Sequence, residues 1–192
     1  MPINPEYLDK FIKVTEKAAY GASLFVGKGD KIAADQSAVD LMRKEFNNID
    51  MDGIVVIGEG EMDEAPMLYI GEKIGTGKGQ KLDIAVDPLE GTNFVANNLP
   101  NAFAVLAVTE RKNLFSAPDT YMEKIAIGSN LPKNLLDLDN SVEKNISLLA
   151  EAKNTTPDKL TACLLKRERH NKIINSLNNL NVKIKFITDG DV

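Results

Sequence analysis

Leu8, Phe11, Ile12, Thr15, Ala18, Ala19 and Ala22 recur at spacings of three and four. This period predicts an amphipathic helix that starts near Asn4-Pro5, where proline suits a first turn. The run "GKGD" (27–30) breaks it. A second helix is predicted over 31–47, with Ala38, Leu41, Met42 and Phe46 on one face. Apolar runs then replace the helical period. "IVVIG" (54–58), "LDIAVD" (82–87) and "NAFAVLAVT" (101–109) read as strands, and their near-continuous hydrophobicity suggests burial on both faces. "YMEKIAIG" (121–128) reads as a fourth strand, and Pro88 is expected to fix a turn directly after the second.

From about Asp137 the texture changes. "NSVEKNISLLAEAKN" (140–154) is a helix capped by Asn140 or Ser141. It is followed by a strand in "LTACLL", a basic corner "KRERH" (166–170), a helix in "NKIINSLNNL" and a strand in "VKIKFIT". Strand, helix and strand in so short a span make a βαβ unit with a parallel pair. The division falls loosely between Phe115 and Tyr121, giving an N-terminal region over 1–117 and a second α/β region over 118–192. The sequence stops at "FITDGDV", immediately after a strand, and two parallel strands are a poor independent sheet. The expectation is a chain cut short after Val192; the alternative is that the last strand joins an existing sheet.

Composition narrows the function classes. With 43% hydrophobic and 27% charged residues the chain reads as an ordinary globular protein, and its net charge of −5 argues against a generic nucleic-acid surface. No apolar stretch approaches the roughly 20 residues that span a bilayer, so no membrane partner is expected. The N-terminus lacks a basic segment followed by an apolar one, so no signal peptide is expected. A single cysteine, Cys163 in "LTACLL", reads as a small core hydrophobe and permits no intrachain disulfide. These features together point to the cytoplasm.

Candidate chemistry sits where strands end. "VVIGEGEMDEAPM" (55–67) places Glu59, Glu61, Asp63 and Glu64 after an apolar strand, Asp87 closes the next strand, and Glu90 follows three residues on. Carboxylates at the ends of adjacent strands converge and repel unless a proton or a cation intervenes. Oxygen donors favour Mg²⁺ or Mn²⁺, and a single histidine and a single cysteine argue against zinc. In "DPLEGT" (87–92), Gly91 lets backbone approach a ligand. A helix starting at Gly91-Thr92 would offer N–H groups to an anion, and Thr92 a hydroxyl. Cation and anion sites side by side suit metal-assisted phosphate ester hydrolysis, with two ions about 4 Å apart. The plainer alternative is a capped turn beside a solvated acidic loop. In "KRERH", Arg167 and Arg169 could fork onto a phosphate or form a solvated basic corner. Asp189 and Asp191 could bind sugar hydroxyls or belong to a plain turn, and Tyr121 could reach a phosphate or pack. His170 reads as a helix-start residue. The glycine-rich "GTGKGQ" precedes its strand and lacks a G-K-[ST] ending, so it reads as a tight connection.

"DPLEGT" resembles the D-P-hydrophobic-D/E-G-T motif of the lithium-sensitive, metal-dependent sugar and inositol phosphatases. Together with "GEGEMDEAPMLYIGEKIGTGKG", "DIAVDPLEGT" and "APDTYMEKIAIG", it makes the chain similar to the bacterial class II fructose-1,6-bisphosphatases. The resemblance implies an α/β fold, the layered α/β/α/β/α sugar phosphatase fold, with its second α/β region incomplete here. It implies divalent-metal binding by Asp35, Glu59, Asp87 and Glu90. By pattern alone Asp35 reads as a helix-surface or cap acid. Substrate contacts are implied for Glu90, Gly91, Thr92, Tyr121, Arg167, Glu168, Arg169, Asp189, Gly190 and Asp191. Thr92 would orient the attacking water, and Asp63 would support that water or a metal ligand. The implied reaction is hydrolysis of the 1-phosphate of fructose 1,6-bisphosphate by water activated with Mn²⁺ or Mg²⁺, in gluconeogenesis, with sedoheptulose 1,7-bisphosphate as a second substrate. Family members continue past the position of Val192 and supply a further glutamate ligand, so activity of the 192-residue chain is left open. The alternatives are an inositol-monophosphatase-like activity and a non-catalytic phosphate- or metal-binding fragment. The implied partners are the sugar bisphosphate and, as an open alternative, further copies of the chain.

Overall fold

The first helical period folds as α1 (Tyr7–Ser23) and the second as α2 (Lys31–Phe46). This is a computed structural model, and it describes residues 2–58, 68–115 and 122–190. Asp30 caps α2, its Oδ1 accepting from the Ala33 N–H at 2.9 Å. That side chain satisfies one of the free donors of the first turn. The buried arc of α1 is Tyr7, Val14, Ala18, Gly21 and Ala22, rotated from the predicted stripe. Leu8 and Ile12 stay 64% and 47% exposed and line an apolar cleft with Leu106 and Val108. Small residues win the buried positions because α1 must lie close against α2 as well as cover the sheet.

Four strands form the sheet of the first unit, β1 (Met51–Ile57), β2 (Lys73–Ile74), β3 (Gln80–Glu90) and β4 (Phe103–Glu110), in the order β2-β1-β3-β4. β1 and β3 are parallel, and the outer strands run antiparallel to their neighbours. Phe46, Met42, Met51, Leu82, Ile84 and Val55 are fully buried between this sheet and the two helices. Gly58 follows β1 at a close approach, since a Cβ there would stand 2.1 Å from the Leu68 carbonyl oxygen. Two expectations fail. The strand does not stop at Asp87, because pairing with β4 carries it through Pro88 to Glu90, with an irregular register between Asp87 and Glu90. A residue without an N–H is tolerated at such a break in the ladder. β4 is not buried on both faces; it is a half-exposed strand at the end of the sheet order.

The start of the parallel pair is stapled by Arg111. Its Nε lies 3.2 Å from the buried Asp83 and its Nη2 reaches both the carbonyl and the carboxylate of Asp52. Asp83 is 3% exposed, and its second oxygen accepts from the Lys112 N–H. One guanidinium thereby ties β1, β3 and the segment after β4.

Contacts divide the chain into Met1–Pro118 with Asp189–Val192, and Asp119–Thr188. The second unit contains α4 (Val142–Ala152), β5 (Thr161–Leu165), α5 (Asn171–Asn179) and β6 (Lys183–Ile187). Ser141 is the cap of α4, accepting from the Lys144 N–H at 3.2 Å. β5 and β6 pair in parallel from Thr161↔Lys183 to Leu165↔Ile187, the predicted βαβ unit. Ala162, Leu164 and Ile184 pack on a small core with Ala150, Leu160, Leu177 and Val182. Strand alternation puts Cys163 on the opposite face, where it is exposed, so it is not the core residue its neighbours suggested. Residues 122–128 form no strand; Met122 and Ile125 are exposed, and no strand partner exists for them among the described residues.

Both units are α/β, the class the sequence predicts. Removing the staple leaves Asp83 buried without its cation, so Arg111→Ala is expected to destabilise the first unit by about 3–5 kcal/mol, measured by urea unfolding.

Candidate functional site

The C-terminal end of β3 carries the densest set of candidate side chains. β1 ends at Ile57, paired with Ala85, and Asp87 lies two residues further along β3. Ligand-binding residues in parallel α/β units gather at this end of the strands. Asp87 is half-buried, and its Oδ1 accepts from the Leu89 N–H at 3.0 Å, across the proline. This local bond sets the carboxylate at the break in the ladder. Glu90 is 6% exposed. Gly91 then turns the chain with φ 86° and ψ 48° to start α3 (Thr92–Ala96). The predicted helical start at Gly91-Thr92 is therefore present. Only glycine fits this turn, because the backbone is left-handed and a Cβ would stand 2.6 Å from the Phe94 ring.

Asp35 comes to this place from α2. Burial first, and the charge of Asp87 second, push its carboxyl above the usual aspartate range. The helix-surface reading of Asp35 thus gives way to a partly desolvated acid that feels Asp87. Asp35, Asp87 and Glu90 offer oxygen donors only, a set that suits a hard divalent cation and would be relieved of repulsion by one. Among the described residues, no group of three or more His, Cys, Asp or Glu is close enough to hold a metal by itself. Glu59, Asp63, Tyr121 and Asp191 lie outside the described residues.

Asp189 also joins the first unit. Its Oδ2 accepts from the Asn93 backbone N–H at 3.2 Å and its Oδ1 from Asn93 Nδ2 at 3.1 Å. Two predicted blocks, "DPLEGT" and "TDGD", thereby meet across a separation of 96 residues. Gly190 follows with φ 110°. Asn93 escaped the sequence reading; its one local signal was its position directly after Thr92.

In the second unit the basic corner becomes a 3-10 turn over Glu168–His170. Arg167 donates Nη2 to the Thr188 carbonyl at 2.6 Å and Nη1 to that of Lys166 at 3.1 Å. This guanidinium therefore binds the ends of β5 and β6 together, a task that the phosphate-fork reading did not foresee. Glu168 and Arg169 are exposed. His170 caps α5, as its place in the sequence suggested, and its Nδ1 lies 2.7 Å from the Leu165 carbonyl oxygen. A carbonyl can only accept, so Nδ1 carries a proton.

The family described as bacterial fructose-1,6-bisphosphatase, glpX-encoded, matches residues 6–192. The chain belongs to that family. It is 46% identical over 183 residues to a Haemophilus influenzae protein named fructose-1,6-bisphosphatase class 2, covering 95% of this chain and 55% of the relative. An Escherichia coli K12 protein, named fructose-1,6-bisphosphatase 1 class 2, is also 46% identical, with 95% and 54% covered. A Synechococcus protein named D-fructose 1,6-bisphosphatase class 2/sedoheptulose 1,7-bisphosphatase is 45% identical, with 96% and 55% covered. The chain thus spans about half the length of these relatives.

Two outcomes follow from the site's geometry. Because the native state holds the Asp35 proton more tightly than the unfolded chain does, stability falls as pH rises from the ordinary aspartate value of 3.8 through the raised one. With a chelator present, Asp35→Asn is expected to unfold at a higher temperature than the wild type at neutral pH. The gain should vanish below that window, as read by thermal melts across pH. Gly91→Ala is expected to cost more than about 1 kcal/mol in denaturant unfolding, since alanine fits neither the dihedral angles nor the space.

Proposed function

We propose that this chain carries a metal-dependent sugar bisphosphatase site that hydrolyses fructose 1,6-bisphosphate to fructose 6-phosphate and phosphate. The observation that carries the reading is the meeting of Asp35 with Asp87, beside Glu90 and the Gly91-Thr92 turn, in a member of this family. The names of the relatives support a bisphosphate over an inositol monophosphate, and sedoheptulose 1,7-bisphosphate as a second substrate. Asp35, Asp87, Glu90 and Glu59 would hold Mn²⁺ or Mg²⁺. When bound, the cation would neutralise phosphoryl oxygens and make water more acidic.

The rest of the chemistry falls to the chain's own side chains. The Thr92 hydroxyl sits at the first position of α3, where it would orient a water toward phosphorus, with Asp63 supporting that arrangement. As the new P–O bond forms, the bond to the sugar oxygen breaks, and the leaving oxygen takes a proton. The Glu90-Gly91-Thr92 turn would hold the 1-phosphate. Asp189, Gly190 and Asp191 would accept from sugar hydroxyls, and Tyr121, Arg167, Glu168 and Arg169 would meet the remainder of the substrate. No helix among the described residues is long and apolar enough to cross a membrane. The single cysteine supports a cytoplasmic setting, the fructose-1,6-bisphosphatase names of the relatives support a role in gluconeogenesis, and assembly into a homo-oligomer is compatible with this reading.

Asp87→Ala and Glu90→Ala are each expected to abolish phosphate release from fructose 1,6-bisphosphate with Mn²⁺ or Mg²⁺, while circular dichroism shows the fold intact. Retained turnover would remove the metal role of these acids. Arg169→Ala is expected to raise KM about tenfold for bisphosphates and less for monophosphates in steady-state assays. Equal effects on both would count against a second phosphate contact.

A further inference from the structure

We propose that Asn93 is a positioning residue that sets the Asp189 carboxylate to receive sugar hydroxyls, and so contributes to substrate specificity. This inference rests on the reading of Asp189 as a substrate contact. Asn93 holds both carboxylate oxygens, one through its backbone N–H at 3.2 Å and one through Nδ2 at 3.1 Å. Two bonds to one flat group fix its plane as well as its place, as an arginine fork would. An amide does this without adding charge. Each carboxylate oxygen has two lone pairs, so one on each remains to accept from a hydroxyl. The grip is itself anchored, because Asn93 lies in α3 and its carbonyl accepts from both the backbone N–H and the side-chain Nδ2 of Asn97. Asp189 is followed by Gly190 at positive φ and sits in a turn with no helix or strand of its own to fix the side chain. The orientation of its carboxylate therefore comes from Asn93, directly beside the Glu90-Gly91-Thr92 turn proposed to hold the phosphate.

Sugar-phosphate binding by calorimetry and steady-state kinetics with fructose 1,6-bisphosphate test this in a double-mutant cycle. Asn93→Ala is expected to raise KM about tenfold or more, the worth of one hydrogen bond to a charged group, with kcat changed less than about twofold. In an Asp189→Ala background the same substitution should change KM by less than about twofold, because the group it positions is gone. Asn93→Asp, nearly isosteric, should raise KM further by setting two carboxylates face to face. Adding Asp189→Asn to it should recover part of the loss, because an amide again meets a carboxylate. Effects of Asn93→Ala that are equal in both backgrounds, or that fall on kcat alone, overturn the inference and leave the proposed activity standing. So does an unchanged KM in both Asn93 variants. A wild-type protein that neither binds nor hydrolyses the sugar phosphate overturns the proposed activity, and this inference with it.

Discussion

Asp35 and Asp87 bring like charges into one another's field in partly desolvated surroundings of the first unit. Left alone, such a pair costs the native state free energy whenever both acids are ionised. The chain nonetheless spends a capped helix, a buried strand end and a glycine turn on bringing them together. Nothing in packing requires this. A fold selected for stability alone would place a neutral side chain at one of the two positions. Under the proposed function, a cation held there would relieve that repulsion.

The two ends of β3 then have opposite tasks. At its start, Arg111 joins Asp83 and Asp52 and leaves the buried acid fully partnered. At its end, the ladder breaks at Pro88, where Asp87 accepts from the Leu89 N–H across the proline. Burial is comparable for Asp83 and Glu90, at 3% and 6% exposed. A regular strand start supports an irregular strand end.

Much of this was legible in the sequence, and the failures have physical causes. α2, the βαβ unit and the helical start at Gly91-Thr92 rest on local signals: a capping acid, a hydrophobic period, a glycine where the backbone must turn left-handed. β3 ran past its predicted stop because a proline's missing donor matters only where the partner strand would have used it. The exposure of Leu8 and Ile12 depended on how close α1 lies to α2, which hydrophobic size does not report. Asp35 carried no local signal beyond a helix position; its role came from resemblance, and its neighbour Asp87 from the fold. The hydrogen bonds of Asn93 and Arg167 were not legible for one reason. Their partners are an aspartate 96 residues away and a backbone carbonyl 21 residues away, and hydrogen bonds of that kind leave no periodic trace.

Cys163 lies exposed on the face of the two-stranded sheet opposite its small core, and it is the single cysteine of the sequence. A maleimide dye or spin label would attach at one known place, in the unit that does not hold the clustered acids. A strand position that missed the core thus gives the second unit a ready-made place for a reporter.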